Sequence, residues 1–405
     1  MRLPLTLALV LAALPLRAEN WPMWRGPRLD GTSLDQHIPT KWSATENIAW
    51  KTELPGSGHA SPIVWGDRVF TVTALADTQE RQLLCLDRKN GALLWRATVV
   101  KTASERTHRL NSLASSTPAT DGERVFTAFL DGQTAVVAAH NFAGKQVWLK
   151  RVGPFASVHG FCSSPVLFKD KVIVNCDHDG DGYIVALART DGRELWRIER
   201  PNKTRSYCAP IIREAAGRTQ MVLSGTKCVT SYDPNDGKLI WIIDGPTEQF
   251  VASLVFNDRA NLFFLTAGYP QHHLLAIRPD GMGNVTDTHI AWRTQKGAAY
   301  VPSPIAESDY FLVTSDSGTG QCFDAATGKL QWEERLGEQH ASLVSADGLV
   351  YFLNDLGVMN VVRPGPTFDL IARNELGERT FASPALSEGR IFLRGERHLF
   401  CIGAK

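Results

Sequence analysis

The seven cysteines include no adjacent pair and no pair at metal-binding spacing, so the chain encodes neither a vicinal disulfide nor a cysteine-ligated zinc. An odd number leaves at least one thiol free, and the expectation is buried, strand-borne thiols. An excess of one charge sign is lacking too: 43 basic against 42 acidic residues give a formal charge of +1. No bulk field would then draw in a polyanion, and nucleic acid is not expected as a partner. Beyond the first sixteen residues no apolar run approaches the length of a membrane span. No Gly-x-Ser-x-Gly elbow occurs, which removes the commonest sequence sign of a serine nucleophile.

What is present begins with "MRLPLTLALVLAALPLRAEN", where Arg2 precedes an apolar run interrupted by Pro4 and Pro15 and followed by the small Ala18. This is the pattern of a cleavable export signal over 1–18, and it predicts a soluble mature chain starting near Glu19. No cysteine follows the run, so a lipid anchor has no attachment residue. The expected location is periplasmic or secreted.

The body of the chain is repetitive. "LLCLDRKNGALLW", "VVAAHNFAGKQVW", "IVALARTDGRELW", "CVTSYDPNDGKLIW" and "GQCFDAATGKLQW" each place a glycine four residues before a tryptophan, at Gly91, Gly144, Gly192, Gly237 and Gly328. Each reads as strand, tight turn, strand, with glycine taking a conformation that side chains resist. Upstream of each lies a small-residue step and an alternating strand pair, such as "HASPIVWGDRVFTV" and "VPSPIAESDYFLVTS". Eight such units, with Trp50, Trp95, Trp148, Trp196, Trp241, Trp292 and Trp332 recurring at roughly 40 to 50 residues, predict four-stranded propeller blades. In the seventh unit Ile371 replaces the tryptophan, and the eighth ends after its third strand. The predicted fold is therefore all-β: an eight-bladed β-propeller over 47–405, preceded by an extension over 19–46 and closed by the N-terminal strand Asn47 to Leu54. The seven tryptophans are expected to dock blade on blade.

The hairpins Asp87–Trp95, Asp233–Trp241 and Asp324–Trp332 share the spacing Asp-x-x-x-Gly-x-x-x-Trp. They resemble the docking repeats of the PQQ-dehydrogenase superfamily, which contains both quinoprotein dehydrogenases and BamB-like outer-membrane assembly scaffolds. "NWPMWRGPRLDGTS" also resembles the N-terminus of exported bacterial PQQ-like propellers. For a quinoprotein the resemblance implies PQQ, a calcium ion, a vicinal disulfide against the cofactor and a carboxylate base. This sequence has no adjacent cysteines and no aspartate in the stretches just before the inner strands. The expectation is a non-catalytic scaffold or binding module with no cofactor; the competing reading is a PQQ- and calcium-dependent dehydrogenase or a degenerate relative.

Two groups of residues carry the remaining chemistry. "NCDHDGDGYIVAL" places Asp177, Asp179 and Asp181 as in a calcium loop, but the twelfth position is Ala188 and the flanks alternate as strands. An acidic turn is expected, with calcium as the alternative. Before the inner strands stand His59, Arg109 with Asn111, His159, Arg205, Gln249, Tyr300, His340 and Arg379, predicted to ring one mouth of the channel. Such a ring suits a small polar or anionic ligand, partly offset by Glu248, Glu338 and Glu378. The other expected partner is an envelope protein, with the chain itself a monomer.

Overall fold

The Asp-x-x-x-Gly turn explains itself in hydrogen bonds. Gly91 N–H donates to the Asp87 carbonyl at 2.8 Å while Asp87 Oδ1 accepts from the N–H groups of Lys89 and Asn90. Asp233 and Asp324 repeat the arrangement with Gly237 and Gly328. The short acidic side chain thus satisfies the turn's backbone donors, and glycine, at φ +74° in Gly91, accepts the left-handed conformation.

The computed structural model describes residues 19–403; the export signal predicted over 1–18 lies outside the described residues. Eight antiparallel sheets form the ring. Blade 1 contains Ile63–Trp65, Arg68–Leu75, Glu80–Asp87 and Leu93–Lys101. Blades 2 to 7 span 119–154, 166–199, 211–244, 255–294, 305–335 and 344–375. Blade 8 joins Ala385–Ser387, Arg390–Arg394 and His398–Ile402 with Ile48–Glu53, which pairs antiparallel with His398–Ile402 as the outer strand. A strand from ahead of blade 1 and the last strand thereby share one sheet, which leaves no open seam in the ring. No α-helix occurs among the described residues, and none is long and apolar enough to cross a membrane.

Each docking tryptophan reaches into the hairpin of the following blade. Trp50 Nε1 donates to the Arg88 carbonyl at 2.8 Å, Trp95 to Phe142 at 2.9 Å, and Trp148 to Arg189 at 2.9 Å. Trp196, Trp292 and Trp332 do the same with Pro234, Ala325 and Gly365. The indole lies on the turn glycine: a Cβ at Gly192 would stand 2.7 Å from Trp148, and one at Gly144 2.9 Å from Trp95. Trp241 departs from the rule. Blade 5 replaces the tight hairpin with a longer connection that lays Gly283–Asn284 along the Trp241 strand. The Trp241 indole is fully buried and donates instead to Gln220 of its own blade at 2.7 Å, while its ring packs on Phe263 of blade 5.

Residues 19–33 do not trail from the propeller; they pack across its far end, while Thr40 and Trp42 bind Asn374 on the outer strand of blade 7. Trp21 bridges Val64 of blade 1, and the Pro22 carbonyl accepts from Thr120 of blade 2. Arg25, fully buried, donates to the carbonyls of Asp30, Pro304 and Leu343, and Asp30 pairs with Arg213 of blade 4. Thr32–Ser33 runs parallel to Val344–Ala346 of blade 7, and Ser387 of blade 8 donates to the Glu19 carbonyl. These contacts fall on or directly beside the inner strands of blades 1, 2, 4, 6, 7 and 8, so residues 19–33 lie across the channel on the side away from the predicted ring.

Candidate functional site

The upstream ends of the inner strands are tied together by hydroxyls. The N–H of Ser253 donates to Ser303 Oγ at 3.0 Å, Ser303 N–H to Ser342 Oγ at 3.0 Å, and Ser342 N–H to Ser383 Oγ at 2.9 Å. The relay continues from Ser383 to Ser61, from Ser61 to Thr117 and from Thr117 to Ser164, each at 3.0 Å. Blade 4 carries Ala209 at this place and interrupts the circle. The small-residue steps, read from sequence only as aids to close packing, are therefore a hydrogen-bonded collar. Their signal was a hydroxyl residue at the same position in seven of eight blades.

Above the collar opens a cavity of about 630 Å³, and Trp24 of the extension is among its lining residues. The Trp24 indole N–H meets Ser253 Oγ at 3.3 Å, which fixes the ring against the collar as a floor. With residues 19–33 lying across the channel, the cavity is a cup floored by Trp24. Sequence reasoning missed Trp24 because it belongs to no blade.

Of the nine predicted ring residues, six line the cup: His59, Arg109, Asn111, His159, Tyr300 and His340. Gln249 stands behind Tyr300 and accepts its hydroxyl at 3.1 Å. Arg205 is turned to Asp179, with Nε 2.8 Å from the carboxylate, and exposed Arg379 lies over the Phe381 ring. Three further wall residues come from outside those stretches or were passed over in them: Tyr207, Phe381 and Asp316. His59 packs against Phe381 at 4.7 Å between ring centroids, and His340 approaches the same ring at 5.9 Å. His108 and His159 meet edge to face at 5.3 Å on another part of the wall. Asp316 supplies the aspartate that the inner-strand stretches lack. It rises from the turn between Tyr310–Thr314 and Thr319–Asp324, where it accepts the N–H groups of Tyr300 at 2.7 Å and Val301 at 3.0 Å.

The histidines do not titrate alike. Burial, reinforced by Arg394, pushes His59 down to about 4, and its Nδ1 lies 3.2 Å from the Leu110 carbonyl. Burial, with the charges of Arg205 and His108, also lowers His159. Burial works against charge on His340 as well, but the hydrogen bond to Asp355, 2.6 Å from Nδ1, outweighs it and raises the pKa. Of these three imidazoles only His340 is held toward the protonated form.

The acidic triplet does not converge. Asp177 pairs with Arg200 at 2.9 Å, Asp179 with Arg205, and Asp181 with Lys203 at 2.7 Å. Among the described residues no group of three His, Cys, Asp or Glu stands where it could share a metal ion. All seven cysteines are unpaired, and Cys162 reaches the cup wall with its thiol pushed up to about 12 by burial. Tested against PQQ with its calcium, this donor set is a poor fit: the vicinal disulfide has no counterpart, and among the described residues no three His, Cys, Asp or Glu side chains converge to hold the ion.

A family model described as outer membrane protein assembly factor BamB, of the PQQ-repeat type, matches residues 79–261 and 283–362. The chain belongs to this family. Among solved structures, this BamB-type propeller is similar to BamB from Moraxella catarrhalis, with 14% identity over 88% of this chain and 98% of that one and a TM-score of 0.62. It is also similar to a europium-containing methanol dehydrogenase, with 14% identity, 95% and 89% coverage and a TM-score of 0.57. A computationally designed protein, Ika8, matches with 12% identity, 88% and 100% coverage and a TM-score of 0.63. At such identities the likeness is one of fold, and it spans a scaffold, an enzyme and a design. No curated protein matches the sequence.

Proposed function

We propose that this BamB-type propeller is an exported, non-catalytic binding module of the cell envelope that captures a small polar ligand in its cup. The observation that supports it most is the floor: residues 19–33 lie across the channel and present Trp24 beneath the wall of the cavity. Enclosure of this kind removes most of a ligand's surface from water while a few fixed polar groups set its orientation. The expected export signal and the family name support an envelope location, and no redox cofactor enters the proposal.

Fold likeness to a methanol dehydrogenase favours a second reading, quinone-dependent oxidation in the same cup. Titration of the purified mature protein with PQQ, in calcium and separately in a lanthanide, followed by an alcohol dehydrogenase assay with an artificial acceptor, separates the two. No stoichiometric uptake and no turnover are expected; uptake with turnover in either metal overturns the binding-module reading.

A further inference from the structure

The charges around the cup cancel in pairs, and what is left over has a direction. Arg205 is matched by Asp179, His340 by Asp355, and Arg379 faces Glu396 at 3.9 Å. Three charged residues lining the cup have no ion-pair partner among the described residues: Arg109, Asp316 and Glu338. Arg109 sits on the loop between Leu93–Lys101 and Ala119–Thr120, which leads from blade 1 into blade 2. Asp316 belongs to blade 6, and Glu338 to the link from blade 6 to blade 7. In a ring of eight, blades 2 and 6 stand half a turn apart. The unmatched cation and the unmatched carboxylates therefore face one another across the mouth.

A second observation deepens the positive side. Arg394, fully buried between blades 8 and 1, donates to Thr71 Oγ1 and the Val72 carbonyl, while its Nε and Nη2 have no partner. No carboxylate pairs with it among the described residues. Its charge is felt at His59, which it helps to keep neutral. Between the poles the surface is aromatic, with Trp24 below and Phe381, Tyr207 and Tyr300 on the wall.

Resting on the binding-cup reading, we infer that the ligand is zwitterionic, a free amino acid or short peptide whose carboxylate meets Arg109 and whose ammonium meets Asp316 and Glu338. A purely anionic ligand would lie against two unmatched carboxylates, and a purely cationic one against Arg109. A neutral sugar would displace water from both poles without replacing its hydrogen bonds. A zwitterion satisfies both ends with charge-assisted hydrogen bonds and lays its side chain on the aromatic floor. The cup's 630 Å³ is in the range of sites for small ligands.

The test uses the mature chain and defined mixtures of free dipeptides and tripeptides. In parallel run the same peptides N-acetylated or C-amidated, neutral disaccharides, and dicarboxylates. Binding is read by thermal shift and by saturation-transfer NMR. Free peptides should bind, and blocking either end should weaken them at least tenfold. Arg109→Gln should abolish the penalty of C-amidation, and Glu338→Gln or Asp316→Asn that of N-acetylation. Glu338 is exposed, so its variant remains informative if Asp316→Asn disturbs the turn. Equal binding of blocked and free peptides, or binding of sugars or dicarboxylates alone, overturns the zwitterion and leaves the cup standing. Binding by none of these classes takes down both readings.

Discussion

Asp177 and Arg200 form an ion pair with no solvent exposure on either side chain, Nε to Oδ1 2.9 Å, that pins blade 3 to blade 4. The remaining Arg200 nitrogens donate to Thr230, Tyr232 and the Gly225 carbonyl, and Ser206 donates to Asp177 Oδ2 at 2.6 Å. Burial alone would disfavour charge on Arg200, but Asp177 and the hydrogen bonds hold its pKa above the ordinary guanidinium value. A carboxylate expected to do no more than cap an exposed turn thus lies at a blade interface.

Removing it should be costly. Asp177→Asn leaves a buried guanidinium without its counter-charge and should destabilise by about 3–5 kcal/mol. Asp181→Asn, at an exposed position, should leave the unfolding midpoint essentially unchanged. Urea unfolding midpoints of the two variants check the contrast; equal midpoints would show that the buried pair contributes nothing.

The turn glycines should separate into two classes. At Gly192, φ +70°, alanine adds backbone strain and drives its Cβ against Trp148, for an expected loss of about 2–4 kcal/mol. At Gly132, φ +61°, nothing lies within 4 Å of the added carbon, so only the conformational cost of about 1 kcal/mol remains. Thermal unfolding of Gly192→Ala and Gly132→Ala gives the difference directly.

Deleting 47–54 should strip His398–Ile402 of its partner strand and remove Trp50 from the blade 1 turn. The opened ring exposes two sheet edges, and the truncated protein should melt well below the parent and self-associate. Light scattering with a melting curve tests this. A monomer with an unchanged melting temperature would mean that closure does not require this strand.

Acid should weaken the fold through half-buried His59 and buried His140, both lowered to about 4. An unfolded histidine takes its proton near pH 6.5, so below that value the unfolded chain binds more protons than the folded one. The contribution of these two residues is complete above pH 6.5 and is lost as the pH falls from 6.5 through 4. His340, with its raised pKa, acts in the opposite sense: its contribution is complete below pH 6.5 and is lost as the pH rises through its folded value. Unfolding midpoints from pH 4 to 8 should show a shallower acid limb in His59→Gln/His140→Gln, while His340→Gln should steepen the net acid loss.

How much of this was legible in the sequence depended on the range of the interaction. The hairpins were readable because Asp87, Gly91 and Trp95 satisfy a turn and a docking contact at fixed short spacing, and repetition multiplied the signal. Blade number, ring closure by Ile48–Glu53 and the placing of six of the nine predicted ring residues on the cup followed from the same repeats. Tertiary structure alone decided the rest. Trp24 reaches Ser253 across 229 positions, and Asp177 finds Arg200 in the segment entering the next blade. Asp316 enters the cup from a turn that sequence order places after the inner strand. Which charges remain unmatched is settled only when every pair has formed, because a side chain's neighbours in a ring are chosen by the fold and not by the chain. Local spacing determined the propeller; the Trp24 floor and the set of residues left unpaired around the cup are properties of the assembled ring.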